Sequence, residues 1–174
     1  KSQKSELQKA AEVDLADPEL FARLRLVRSQ NVGPVTYCHL VKRYGSAARA
    51  LEAIPGLAGK GGGRAPRIAD TGQIAEEIEA IAKFGGKLLS IDEPGYPSLL
   101  AELDNPPPLL LLRGRTELLH KPAVAMVGAR NASAAACHFA RDLAIALNRL
   151  GVTVVSGLAK GIDTAAHLGS LDQA

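Results

Sequence analysis

The sequence predicts an α/β fold in which a partial, Rossmann-like parallel sheet follows a small all-α domain. Two stretches carry this prediction, 124–131 (VAMVGARN) and 152–163 (VTVVSGLAKGID). Each starts as an apolar, β-branched run, breaks at a glycine-containing loop and continues into an alanine-rich helical pattern. Strand, loop and helix repeated in that order are typical of doubly wound α/β domains, in which ligands bind at the carboxyl ends of the strands.

Residues 1–85 predict a helical, SAM-like or helix-hairpin-helix domain. After a polar segment, 1–15, Asp17 and Pro18 form a typical helix start, an N-cap followed by proline at the first helical position. Further helices are expected at about 35–44, 46–53 and 71–84, with Gly45, the Ile-Pro-Gly-Leu run 54–57 and Gly85 as breaks, and a basic, glycine-rich loop at 59–67.

The turn between the first two helices, Val32-Gly33-Pro34, is typical of helix-hairpin-helix modules, some of which present backbone amides to DNA phosphates. The paired Gly-x-Gly of a DNA-binding hairpin is absent. Two interpretations therefore remain open for this domain, a structural or protein-contacting role and direct DNA contact.

Residues 86–174 predict the N-terminal part of the Rossmann-like domain. Strands are expected at 87–91, 109–113, 124–127 and 152–155, and helices at 98–103, at 132–150 and from Asp163 onward. The long helix is expected to bury Phe139, Leu143, Leu147 and Leu150. Because a doubly wound sheet needs more strands than these, we expect its later half to lie beyond Ala174.

Composition limits the function classes. The apolar share of 47% is ordinary for a chain that buries a core. The net charge of +3 resides in residues 1–85, whereas 86–174 carry eight basic and eight acidic residues. Bulk charge is thus a weak argument for nucleic acid, and 3% aromatic residues with no Trp disfavour a base-stacking platform. No apolar run approaches a membrane span, and we expect a cytoplasmic protein.

The two loops predict an anion site. Consecutive parallel strands place them side by side, and each leads into a helix N-terminus, which favours anions. Each adds one cation, Arg130 or Lys160, and Gly128, Gly157 and Gly161 permit close backbone approach. The alternative interpretation is that the glycines serve only tight turns and the cations are solvated.

Other chemistries find little support. Neither loop is a GxxxxGK[ST] phosphate loop or a GxGxxG fingerprint, and Ser156 is not in a GxSxG elbow. Cys38 and Cys137 stand alone, so no metal site is expected. Asp163 and His167 lie four residues apart on one predicted helix and could form an acid/base pair, but Asp163 as an N-cap and His167 in local packing explain them as well.

The chain resembles the DprA (Smf) family of DNA-processing proteins over about residues 20–172. The resemblance rests on these segments: VGARN at 127–131, SGLAKGID at 156–163, Ala166-His167 with Leu171, Tyr96-Pro97, Pro107-Pro108 and Arg113-Gly114. The first loop departs from the family's usual G-S-R-x-P-T, because Ala129 replaces the serine and Asn131-Ala132-Ser133 replace x-P-T. Arg130 is retained.

The resemblance implies a non-catalytic protein of natural transformation that protects incoming single-stranded DNA and helps to load the RecA recombinase. It implies a homodimer when full length, no cofactor and no membrane association. The DNA-binding residues implied on this chain are Gly128, Arg130, Asn131, Ser156, Gly157, Lys160 and Gly161. A Rossmann-like enzyme that binds a nucleotide or phosphoribosyl group remains the alternative.

Overall fold

The computed structural model describes residues 17–57 and 67–171, which form two compact units that divide after Gly114. The predicted polar start at 1–15 and residues 59–66 of the predicted glycine-rich loop lie outside the described residues. The first unit contains α1 (Pro18–Val27), α2 (Pro34–Tyr44), α3 (Ala47–Leu57), α4 (Thr71–Phe84), β1 (Lys87–Ser90), α5 (Ser98–Ala101) and β2 (Leu109–Leu112). The second contains a 3-10 helix (Thr116–His120), β3 (Ala123–Ala125), α6 (Ala134–Arg149), β4 (Thr153–Val155) and α7 (Ile162–Leu171).

Side-chain caps and glycines set several helix ends in the first unit. The Asp17 carboxylate accepts the N–H of Glu19 at the start of α1, at 2.9 Å. Asp70 accepts two amides in the same way at the start of α4. Gly45 and Gly85 end α2 and α4 in the left-handed conformation, which glycine adopts without steric cost. The ends at Asp17, Gly45 and Gly85 are those that the sequence predicts.

Helix α3 is longer than predicted. A break was expected at Ile54-Pro55, but the helix continues through Pro55 to Leu57. Proline removes one backbone hydrogen bond and crowds the preceding turn. Here that loss falls in the last turn, and Ile54, only 1% exposed, anchors the turn in the core.

Helix α1 lies between the two hydrophobic cores of the first unit. Its Ala22 and Leu26 pack against α2 and α3, while Leu20 and Leu24 pack against α4 and β1. The buried partners in the first core are Val32, Tyr37, Ala47, Ala50, Leu51 and Ile54, and those in the second are Ile74, Ile78, Ile81 and Leu88. The helical module therefore has a core of its own, organised around α1.

Strands β1 and β2 form an antiparallel pair, with Lys87 opposite Leu112 and Ser90 opposite Leu109. The pair belongs to the first unit because Leu88 lies in the second core. The sequence predicts a short buried strand at 109–113, and β2 forms there but is not buried. Its Leu111 is 53% exposed, since only one face of a two-stranded pair is covered. The division into 1–85 and 86–174 stays a prediction.

Strands β3 and β4 are parallel, with Ala123 opposite Thr153 and Ala125 opposite Val155. Helix α6 connects them, so the second unit contains the βαβ arrangement that the sequence predicts. The Rossmann-like fold class is thereby confirmed, with a helical module before a short parallel sheet. In the described ranges, no helix is both long enough and apolar enough to span a bilayer.

The predicted burial pattern of α6 was wrong for three of its four residues. Phe139 is 69%, Leu143 is 39% and Leu150 is 79% exposed, whereas Leu147 packs against the core as predicted. The helix instead buries a stripe of small side chains, including Ala140 and Ala144, against α7. Gly169 of α7 comes so close to this stripe that a β-carbon there would overlap the backbone of α6. Small residues allow the two helices to approach closely, and this contact turns the larger apolar side chains away.

Candidate nucleic-acid interface

The loops that follow β3 and β4 leave the same edge of the parallel pair. We call residues 126–133 the first loop and residues 156–161 the second loop. The N–H of Met126 donates to the carbonyl oxygen of Val155 at 2.9 Å. The Ser156 hydroxyl donates to the carbonyl oxygen of Met126 at 2.7 Å. The two loops therefore start side by side at the carboxyl ends of the strands, where α/β sheets bind ligands.

Two glycines allow the loops to pack closely against each other farther from the strands. Gly161 has φ of 79° and lies so close to the carbonyl oxygens of Ala129 and Arg130 that a β-carbon would overlap them. A β-carbon on Gly128 would overlap the side chain of Ile162. The N–H of Ile162 donates to the Ala129 carbonyl oxygen at 3.3 Å. Both glycines are thus needed for one loop to close on the other.

Asp163 fixes the second loop from inside. Its side chain is 5% exposed, and Oδ2 accepts the N–H of Gly157 at 3.0 Å and that of Ala159 at 3.3 Å. The predicted N-cap position was wrong, because Asp163 lies in the first turn of α7, which begins at Ile162. Its carboxylate reaches back into the loop. The amides of Gly157 and Ala159 are therefore occupied and are not free to bind a phosphate.

Arg130 and Lys160 are both exposed, each on the turn of its loop. Within residues 17–57 and 67–171, neither side chain forms an ion pair or a hydrogen bond. An arginine can bind a phosphate through two parallel hydrogen bonds, and a lysine acts as a point charge. The edge thus presents two cations that are available to an external anion.

All seven predicted site residues lie on these two loops, but their environments differ. The Ser156 hydroxyl is engaged by Met126, so its role is to hold the loops together. Asn131 is exposed on the turn beside Arg130. The first loop ends at Ser133, whose hydroxyl accepts the N–H of Ala136 at 3.2 Å and caps α6. DNA contact by any of the seven stays a prediction.

Sequence reasoning missed two residues of this edge. Asp163 was expected to cap a helix or to pair with His167, and its contact with the loop amides was not foreseen. The available signal was an aspartate just after a glycine-containing loop, because aspartate side chains often accept nearby backbone N–H groups. Leu158 was not considered. It has a φ of 56° and is 82% exposed. No local sequence pattern predicts a leucine in the left-handed conformation.

The structure gives Asp163 and His167 separate roles. The Asp163 carboxylate is engaged by loop amides. His167 is half-buried, and its Nε2 has no hydrogen-bond partner in the part of the chain that the structure describes. In the same part, no group of three or more His, Cys, Asp or Glu side chains is placed to hold a metal ion.

Two family models match this chain. The one described as DNA recombination-mediator protein A covers residues 87–174, which include both loops. The chain belongs to the DNA recombination-mediator protein A family. The second model, a DprA-like N-terminal HHH domain, covers residues 17–80 and so coincides with the helical module.

Curated relatives of this family member carry the names DprA and Smf. The chain is 33% identical over 171 residues to a putative DNA processing protein DprA of Mycobacterium tuberculosis, and 36% identical over 102 residues to that of Streptococcus pneumoniae. It is 40% identical over 85 residues to protein Smf of a Synechocystis species. These matches cover 91%, 59% and 47% of this chain, but only 41%, 34% and 21% of the relatives. The chain thus spans less than half the length of each.

The X-ray structure of DNA processing protein A from Streptococcus pneumoniae is similar in fold. The match has a TM-score of 0.53 and 25% sequence identity, and it covers 96% of this chain and 53% of that one. The family's order of a helical module before an α/β domain is therefore present in a solved relative.

Proposed function

We propose that this family member binds single-stranded DNA during natural transformation, protects it and helps to load the RecA recombinase onto it. Its membership of the DNA recombination-mediator protein A family supports this role. The names of its relatives, which refer to DNA processing, agree with it. We further propose that the protein works in the cytoplasm without a catalytic step.

One observation carries the assignment of the site. Two loops that are locked to each other each present an exposed cation, and neither Arg130 nor Lys160 has a partner within the described residues. The contacts between the loops fix the position of one loop backbone relative to the other. The phosphates of a single strand would therefore meet two positive charges on a preorganised edge. Phosphate contacts of this kind supply affinity with little sequence preference.

The test uses the full-length protein with Arg130→Ala and Lys160→Ala variants. Fluorescence anisotropy would measure their affinity for single strands of several sequences over a range of salt concentrations. Each variant should bind roughly tenfold more weakly to all sequences, because a charge-assisted hydrogen bond is lost. The slope of log affinity against log salt should become shallower by about 0.7 for each phosphate contact removed.

Matched controls lie at the opposite edge of the same strands. Lys121 precedes β3, and Arg149 ends α6 just before β4; both are exposed. Lys121→Ala and Arg149→Ala remove the same charge but should leave the affinity nearly unchanged. Parent-like binding by both loop variants would refute the site, and equal losses in the controls would show that only total charge matters.

RecA loading and dimerisation need their own measurements. Loading would appear as RecA ATPase activity on single strands already coated with a single-strand binding protein, stimulated by the parent and less by the loop variants. Light scattering on the full-length protein would give its oligomeric state. A titration with mononucleotides tests the enzyme alternative, since tight mononucleotide binding with indifference to oligonucleotides would favour it.

A further inference from the structure

Leu158 combines two properties that an incidental surface residue rarely has together. Its φ of 56° lies in the left-handed region, which bulky side chains avoid because the β-carbon crowds the following carbonyl. Its side chain is 82% exposed, so no burial compensates for the strain. Strained non-glycine residues that persist in a structure cluster at ligand-binding sites.

The strained conformation is held by the residues on either side. Gly157 and Ala159 flank Leu158, and both donate their N–H groups to Oδ2 of Asp163. The backbone before and after Leu158 is therefore turned inward to a buried carboxylate, and its side chain points outward. Asn31 is the other non-glycine residue with positive φ in the described ranges, and asparagine tolerates that conformation.

Leu158 lies two residues before Lys160 in the second loop. A single strand offers two surfaces, charged phosphates and unpaired bases whose faces are apolar. Cations alone would leave the bases in water. A side chain that projects from the same loop as Lys160 is placed to contact a base beside a phosphate bound there. Leucine and other apolar side chains pack against base faces in nucleic-acid complexes, and every base has such a face.

We propose that Leu158 is a base-contacting residue, which packs against a nucleobase of the single strand whose phosphates Arg130 and Lys160 bind. This inference rests on the proposed function and adds a second recognition element to the same edge. The strained backbone then holds the Leu158 side chain in an exposed position, ready for an apolar contact that forms only when DNA is bound.

Exposed leucines are common on protein surfaces and need no ligand, so the test requires a matched one. Leu150 is 79% exposed and lies in the same unit, after α6 and before β4, at the edge opposite the two loops. Its φ of −84° is ordinary. Leu150→Ala therefore removes an equally exposed leucine that is neither strained nor near the proposed DNA edge.

The experiment compares two probes on the full-length protein, an oligothymidylate and a strand of equal length made of abasic residues. Leu158→Ala should bind the oligothymidylate about threefold to tenfold more weakly, because apolar contact is lost. It should bind the abasic strand like the parent, with an unchanged salt slope. Leu158→Asn should behave like Leu158→Ala, since it suits the left-handed backbone but is polar, whereas Leu158→Met and Leu150→Ala should retain the parent's affinity.

Parent-like affinity of Leu158→Ala and Leu158→Asn for the oligothymidylate would overturn the inference. Equal losses on both probes would also overturn it, because they would mean a disturbed loop rather than a lost base contact. Failure of the proposed function gives a different result, in which the parent binds neither probe or the Arg130→Ala and Lys160→Ala variants bind both like the parent.

Discussion

The carbonyl oxygen of Ala129 lies directly against Gly161, with no room for a β-carbon between them. The N–H of Ile162 donates to the same oxygen at 3.3 Å. One backbone carbonyl of the first loop thus meets both the last residue of the second loop and the first residue of α7. The relative placement of the two loop backbones, and hence of the two cations they carry, depends on this contact.

Replacement of Gly161 should therefore disrupt the edge. Gly161→Ala places a β-carbon against the carbonyl oxygens of Ala129 and Arg130 at a φ of 79°. Left-handed strain and the overlap together should cost about 2–4 kcal/mol of unfolding free energy. Urea unfolding of the full-length protein would measure this loss. Binding of single-stranded DNA should weaken as well, because the loops separate.

Gly151→Ala is the matched control for that substitution. Gly151 has a similar φ of 75°, but no atom lies within 4 Å of the position of an added β-carbon. Only backbone strain applies, so a loss of about 1 kcal/mol is expected, with normal DNA binding. Equal losses for the two glycines would mean that the contact with Ala129 does not constrain the loops.

Removal of the Asp163 carboxylate should loosen the second loop. Asp163→Ala leaves the amides of Gly157 and Ala159 without their acceptor. A fully buried unsatisfied donor costs up to about 3 kcal/mol, and since both of these hydrogen bonds are only part-buried, a loss of about 1 kcal/mol is expected. Asp163→Asn keeps one oxygen acceptor and should cost less. Amide hydrogen exchange at Gly157 and Ala159 should accelerate in the alanine variant. Unchanged exchange there would contradict the role assigned to the carboxylate.

Local patterns predicted much of this structure. Helix ends at Asp17 and Gly45 follow from capping chemistry, which acts over three or four residues. The parallel pair and its two loops follow from apolar β-branched runs that stop at Gly128 and Gly157. These features depend on near neighbours in the chain, so they could be found without knowledge of the fold.

Long-range packing explains what the sequence did not predict. The burial of α6 was wrong because Ala140 and Ala144, not Phe139, face a close-packed helix more than twenty residues away. The carboxylate of Asp163 was misassigned because its hydrogen-bond donors lie in the preceding loop rather than in the helix. Leu158 was missed because its φ is imposed by that carboxylate rather than by its own type.

The contact of the β1–β2 pair with the helices was also unforeseen. Besides the packing of Leu88 in the second core, it includes an ion pair between Arg23 and Asp92, which lies just after β1. Arg23 of α1 donates two hydrogen bonds to the Asp92 carboxylate, at 2.5 and 2.7 Å. A double-mutant cycle with Arg23→Met and Asp92→Asn should give a coupling energy of about 1 kcal/mol, as for other partly exposed ion pairs. A larger coupling energy is not expected, because the Asp92 side chain is 55% exposed and water screens its charge. A coupling near zero would show that this ion pair does not hold the segment after β1 on α1.

The same pair should make stability depend on pH. Burial alone would raise the pKa of Asp92, but hydrogen bonds from Ser90 and Arg23 outweigh it and lower that pKa. A lowered carboxyl pKa adds stability above the unfolded-state value near 4, and this is lost as the pH falls through the folded-state pKa. Glu93 acts in the opposite direction, because burial raises its pKa against the attraction of Arg23, so its protonation favours the folded state.

Arg23→Met should therefore destabilise the protein most at neutral pH, where the guanidinium attracts the carboxylates of Glu19, Asp92 and Glu93. The difference from the parent should shrink as the pH falls below about 4, since protonated carboxyl groups no longer attract Arg23. Urea unfolding at a series of pH values would measure it. Arg43→Met is the control, because Arg43 packs over the Tyr44 ring at 5.5 Å and pairs with no carboxylate in the described ranges. A difference for Arg23→Met that stays constant with pH would mean that the packing of Arg23, rather than its charge, stabilises the fold.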